Sequence, residues 1–87
     1  MIDTGRFGRE VGSRLRQARK SRGWSLADVE ELSGGRWSKE ALGTYERADR
    51  QMLVEYAGGL AEFYGLDLRT LLAEAERAAL GTNAKAA

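Results

Sequence analysis

The residues with the most chemical content fall between Ser25 and Glu46, in the string SLADVEELSGGRWSKEALGTYE. Ser25 precedes an apolar-periodic run and is followed three residues later by Asp28, an acidic variant of the capping box. Ser38 stands after the break Gly34-Gly35-Arg36-Trp37 and is placed to cap a second helix from Lys39. Two short capped helices joined by a glycine-marked turn are the sequence image of a helix-turn-helix, a unit whose chemistry is binding. Its second helix has the dimensions to enter the major groove of DNA. Catalysis is not expected. The chain has no histidine and no cysteine, which removes the usual general base, thiolate nucleophile and zinc ligands, and no metal or cofactor is called for. Glu30-Glu31, Glu74 and Glu76 fall on ordinary solvated helix faces.

The charge is distributed in keeping with binding to an anion. The net charge of the 87 residues is only +1. Between Arg6 and Arg50, however, eleven basic residues meet seven acidic ones, whereas from Gln51 onward three basic residues meet five acidic. The basic excess thus shares a half of the chain with the two capped helices, as a phosphate-facing surface requires. No apolar run is long enough to span a membrane, and the N-terminus lacks the apolar core of a signal peptide. A soluble cytoplasmic protein is expected.

These residues must be positioned by helices, and the apolar spacing predicts five of them in one all-α bundle. Phe7, Val11, Leu15 and Ala18 mark a first helix over about Arg9 to Arg22, closed by Gly23. The second runs over about Leu26 to Ser33 with Val29 and Leu32 inward, and the third over about Lys39 to Arg47 with Leu42 and Tyr45 inward. A fourth over Val54 to Tyr64 buries Ala57, Leu60, Ala61 and Tyr64 and is closed by Gly65. Asp67 caps a fifth that extends toward Gly81. Trp24 reads as core, and Trp37 as packing over the turn or lying against a sugar-phosphate backbone. Tyr56, Phe63 and Tyr64 read as packing residues with their polar tips exposed. The division that follows is an N-terminal arm over 1–8, a helix-turn-helix domain over 9–80 and a frayed tail over 81–87. The apolar series Leu68, Leu71, Leu72, Ala75, Ala79 and Leu80 exceeds what a fifth helix needs for the core and is the candidate dimer surface.

Three segments carry a closer likeness. With VGSRLRQARKSRGWS in the first helix, Tyr45-Glu46-Arg47, and LAEFYGLDLRTLL near the end, the chain resembles the lambda-repressor and Cro type of helix-turn-helix, the Xre family. Within it, GRW at 35–37, YERADR at 45–50 and AEFYG at 61–65 resemble BldD-type actinobacterial regulators. The link between the second and third helices is about two residues longer than in the phage repressors, with Arg36 and Trp37 in the added space. Glu30 stands where alanine is usual beside the turn, which predicts a looser crossing, and Leu26 where many relatives place a DNA-contacting glutamine. The cyclic-dinucleotide domain of BldD-type regulators is not carried over, since 87 residues leave no room for it.

The resemblance implies a sequence-specific regulator of transcription on bacterial duplex DNA, associated with the nucleoid and acting as a homodimer. Lys39, Glu40, Gly43 and Thr44 would face the bases: lysine toward guanine O6 and N7, glutamate toward cytosine N4, threonine toward a thymine methyl. Gly43 would allow close approach to the groove, or tight packing; Glu40 reads a cytosine or pairs with Arg36. Ser25 and Ser38 at helix starts, with Arg36, Arg47 and Arg50 on the bordering loops, would hold phosphates. Arg19 would pair with Glu46 out of solvent and fix the third helix against the first. The alternative is a module of antitoxin or co-regulator type that uses the same fold to bind a protein partner.

Overall fold

The computed structural model describes the backbone over residues 4–86 and side chains over residues 5–81. Five helices follow in order: α1 (Thr4–Ser21), α2 (Leu26–Leu32), α3 (Lys39–Glu46), α4 (Val54–Tyr64) and α5 (Leu68–Ala86). The described residues contain no strand. No described helix is long and apolar enough to cross a membrane.

α1 starts at Thr4, not near Arg9, so residues 4–8 are helix where the sequence predicts an arm. The reason lies in the apolar stripe: Phe7 packs against the core one turn before the buried Val11, and this contact outweighs the poor helix propensity of Gly5 and Gly8. At the other end α5 continues through Gly81 to Ala86, across the predicted tail. Residues 1–3 of the arm and Ala87 lie outside the described residues.

α1 and α5 pack together and form the spine on which α3 and α4 sit, and α2 packs against α3. Leu15, Val29, Leu42, Leu60 and Tyr64 are almost completely removed from water. Burial of each aliphatic side chain of this kind contributes about 1.5–3 kcal/mol relative to exposure. α5 presents Leu71, Ala75 and Ala79 to the interior. Half of the series read as a dimer surface is therefore taken up by the domain's own core, with Leu68 and Leu72 packed at its edge and Leu80 half-buried.

Leu32 also departs from expectation, at 56% exposed. α2 is only two turns long and Val29 alone anchors it; the linker supplies the rest of the core through Trp37, which is buried. The Trp37 ring meets Phe63 edge-on at 5.4 Å and Tyr56 at 6.2 Å, while Trp24 lies 5.6 Å from Phe63 on the other side. The two added linker residues thus include a core anchor, and each such aromatic pair adds about 0.5–1.5 kcal/mol beyond its buried area. The hydroxyls of Tyr56 and Tyr64 are not exposed tips: both are buried without a hydrogen-bond partner. Burial raises both phenols to about 12.

Candidate nucleic-acid interface

Local chemistry builds the two ends of the helix-turn-helix. Asp28 donates its backbone N–H to Ser25 Oγ at 3.0 Å, and Ser25 N–H donates to Asp28 Oδ2 at 2.8 Å, a complete capping box that starts α2. Gly34 and Gly35, with φ of 68° and 80°, turn the chain through two left-handed residues that glycine adopts at little cost. Ser38 then caps α3 by accepting from Ala41 N–H at 3.1 Å. Glu30, the residue standing in place of alanine, reaches across the turn: its Oε1 accepts from Lys39 N–H at 3.4 Å. Its carboxylate lies at the positive end of the α3 dipole and ties α2 to the start of α3.

The far end of α3 is held from below. Glu46 takes Arg19 in a bidentate pair, Nε to Oε2 at 2.8 Å and Nη2 to Oε1 at 2.9 Å, and Arg19 Nη1 donates to the Trp24 carbonyl at 2.7 Å. Both side chains are over nine-tenths buried. The hydrogen bond to Glu46 raises the Arg19 pKa against the opposing effect of burial, so the guanidinium stays charged. Beside this pair α1 touches the backbone of α3 at Gly12, where a Cβ would stand 2.5 Å from the Glu46 carbonyl oxygen and 2.7 Å from that of Tyr45. α3 is thus fixed at one end by an ion pair and a glycine contact, and at the other by Glu30 and Ser38.

On the outer face of α3, Lys39 and Glu40 are exposed and Thr44 is half-buried. Thr44 Oγ1 donates to the Glu40 carbonyl at 2.9 Å, which fixes its rotamer and turns its methyl away from that bond. Gly43 stands one turn after Lys39 on the same helical face but is not itself open to solvent. It is buried, and a Cβ there would lie 2.9 Å from Arg47 Nη1 and 3.4 Å from Leu26 Cδ1. Of the two readings of Gly43 the packing one fits: it admits Leu26 of α2 and the Arg47 side chain against α3. Glu40 has no ion pair among the described residues; Arg36, its possible partner, instead lies over the Trp37 ring at 4.5 Å, with Nη2 beside Gly59 of α4. Such a contact contributes about 0.5–1 kcal/mol at an exposed site and holds the cation in one place. Arg47 Nε pairs with Asp49 at 2.8 Å in an exposed bridge, and Arg50 is exposed at the loop before α4.

Gly12 and Gly59 escaped the sequence reading, and Glu30 entered it only as a looser crossing of the two helices, not as a tether to Lys39. For Gly12 a signal existed: Gly8 and Gly12 stand four apart on one helical face, the spacing of small residues that admits a close neighbour. For the tether at Glu30 and for Gly59 there was none, since each contact is defined by a neighbour that only the packed linker brings near. Among the described residues no group of three or more His, Cys, Asp or Glu side chains could hold a metal.

The sequence matches the family model described as a helix-turn-helix domain over residues 10–80. The chain belongs to this family. Its fold is similar to the DNA-binding domain of S. venezulae BldD, with a TM-score of 0.71 and 42% identity over 75% of this chain and 94% of that one. It is also similar to a crystal structure of the DNA-binding domain of BldD, with a TM-score of 0.74 and 39% identity over 79% of this chain and 97% of the other. No curated protein matches its sequence. The family frame identifies α2 and α3 as the helix-turn-helix pair of a BldD-like domain.

Proposed function

We propose that this domain is a transcriptional regulator that binds double-stranded DNA sequence-specifically, with α3 in the major groove and two copies on a two-fold symmetric site. The observation that carries the reading is the likeness to DNA-binding domains at 39–42% identity across nearly their whole length. Lys39, Glu40 and Thr44 read base edges, lysine at guanine, glutamate at cytosine N4 and threonine at a thymine methyl. Gly43 serves this face indirectly, by letting Leu26 and the Arg47 side chain pack against the helix there. Ser25 and Ser38 bring helix starts to the phosphates, and Arg36, Arg47 and Arg50 supply cations at the loops. Glu30 tempers the pull of the α3 start on a phosphate, which puts more weight on the arginines. One small domain makes few contacts, so two copies on half-sites one helical turn apart raise affinity to a useful level. Such a protein works at the bacterial nucleoid.

The test is selection of bound sites from a random duplex library, repeated with Lys39→Ala and Thr44→Ala. An enriched two-fold motif that relaxes at defined positions in the variants supports the reading. Arg36→Ala, Arg47→Ala and Arg50→Ala should each weaken binding to all sequences alike and reduce the log–log salt slope by about 0.9. A folded protein that enriches nothing, even at low salt, overturns the proposal and turns attention to a protein partner.

A further inference from the structure

A cavity of about 480 Å³ opens between the start of α1, the loop joining α3 to α4, and the start of α5. Its walls are apolar: Phe7, Met52, Leu68 and Leu72 line it, with Val11 and Ala57 at its base. It exists because small residues face it where a core would usually be filled. Gly8, Ala48 and Ala57 all contribute to its lining, and Ala57 is itself a buried core position. Among the described residues, Arg50 is the single charged residue in that lining, no carboxylate faces it there, and no ion pair or hydrogen bond engages Arg50. The volume lies within the range of small-molecule sites, about 300–1,000 Å³, and a mostly apolar wall with a few placed polar groups, here Arg50 beside Gln51 and Tyr45, is their usual make-up.

We propose that this cavity is an effector site for a free amphipathic carboxylate, an apolar chain seated among Phe7, Met52, Leu68 and Leu72 with its head on Arg50. The planar fork of one guanidinium pairs bidentately with one carboxylate, and its single charge balances a monoanion. Apolar contact supplies the affinity and Arg50 the polarity of insertion. The site adjoins the DNA-facing machinery, because Tyr45 of α3 and Arg50 both belong to its lining. A head group on Arg50 takes that cation from the phosphates, so ligand and DNA weaken one another by the same factor. This consequence rests on the DNA-binding reading; occupancy of the cavity does not.

The experiment titrates the full chain without DNA with dansyl-undecanoate, followed by fluorescence, and displaces it with decanoate or decylamine. Saturable binding of one equivalent is expected, reversed by decanoate and not by decylamine. Arg50→Gln should weaken it on the order of tenfold or more, the effect of losing a charge-assisted hydrogen bond. Ala57→Leu, which fills the cavity from α4 without touching Arg50, should abolish it while DNA binding persists. Methyl chemical-shift changes in the unaltered protein should centre on Ala57, Leu68 and Leu72, a readout that needs no variant to fold. Absence of saturable binding, equal displacement by decylamine, or shifts centred elsewhere would overturn the proposal. Decanoate binding in the cavity by a protein that never binds duplex DNA would sustain the site and refute only the DNA-binding reading.

Discussion

Replacing Glu46 with alanine tests the physical basis of the interface most directly. The substitution removes both carboxylate oxygens from the Arg19 guanidinium and leaves it with the Trp24 carbonyl. Arg19 is 7% exposed, so water cannot make good the loss. Breaking a buried pair in this way costs about 3–5 kcal/mol, because a charge is left inside without its partner. At roughly 0.05–0.15 kcal/mol per residue, a domain of this length has about 4–13 kcal/mol of stability to lose. Glu46→Ala should therefore lower the urea midpoint by about 3 M, for a slope near 1 kcal/mol/M, or leave the domain largely unfolded. Far-ultraviolet circular dichroism reports the helices, and tryptophan fluorescence reports Trp24 beside the pair. The double variant Arg19→Met with Glu46→Leu removes both charges and should recover most of the loss. Recovery makes the two positions strongly non-additive. A loss below about 1 kcal/mol for Glu46→Ala, or a double variant as unstable as the sum of the singles, would show that the pair does not anchor α3.

Other contacts make separate predictions. Gly12→Ala places a methyl against two backbone carbonyls of α3 that cannot step aside, so it should cost about 1–3 kcal/mol and lower the melting temperature by roughly 4–8 °C per kcal/mol. Ala48 ends α3 at φ 58°, a conformation that penalises a Cβ, and Ala48→Gly should stabilise the domain by about 1 kcal/mol in chemical denaturation. The phenols of Tyr56 and Tyr64 are raised to about 12 in the fold against an ordinary value of 10, so the folded state holds protons the unfolded chain releases. Stability from these two groups is complete below pH 10 and lost as pH rises toward 12. Denaturation midpoints measured across that window should fall, and a flat profile would contradict the burial of the two rings. Tyr64→Phe removes a buried hydroxyl that has no partner and should leave stability unchanged or raise it by up to about 1 kcal/mol, read from the same denaturation curves.

The starts of α2, α3 and α5 and the stop of α4 were legible because the groups that set them lie within a few residues of one another, whereas the start of α1 and the end of α5 were not. Ser25 with Asp28, Ser38 with Ala41, Asp67 with Thr70, and the left-handed Gly65 each close a local hydrogen-bonded ring. Periodicity also picked out Val29, Leu42 and the four buried residues of α4. It misjudged Leu32, since helical spacing marks a face but not whether a two-turn helix has a neighbour across it. The apolar series of α5 was over-read for the opposite reason: Leu71, Ala75 and Ala79 are buried within the domain, where α5 packs on α1.

The sequence by itself determined the five helices, their caps, the unequal spread of charge and the string that marks the helix-turn-helix. All of these follow from interactions over one or two turns, or from counting. Only the tertiary structure decided that Arg19 and Glu46 meet with both carboxylate oxygens engaged, that Gly12 lets α1 reach the backbone of α3, and that Leu26 and Arg47 cover Gly43. It also decided that Trp37 anchors the longer linker, and that small residues from three separate segments leave a cavity beside Arg50. Each of these depends on side chains far apart in the chain being brought within a few ångströms. The free energy that does so is spread over the whole core, and no short stretch of sequence carries it.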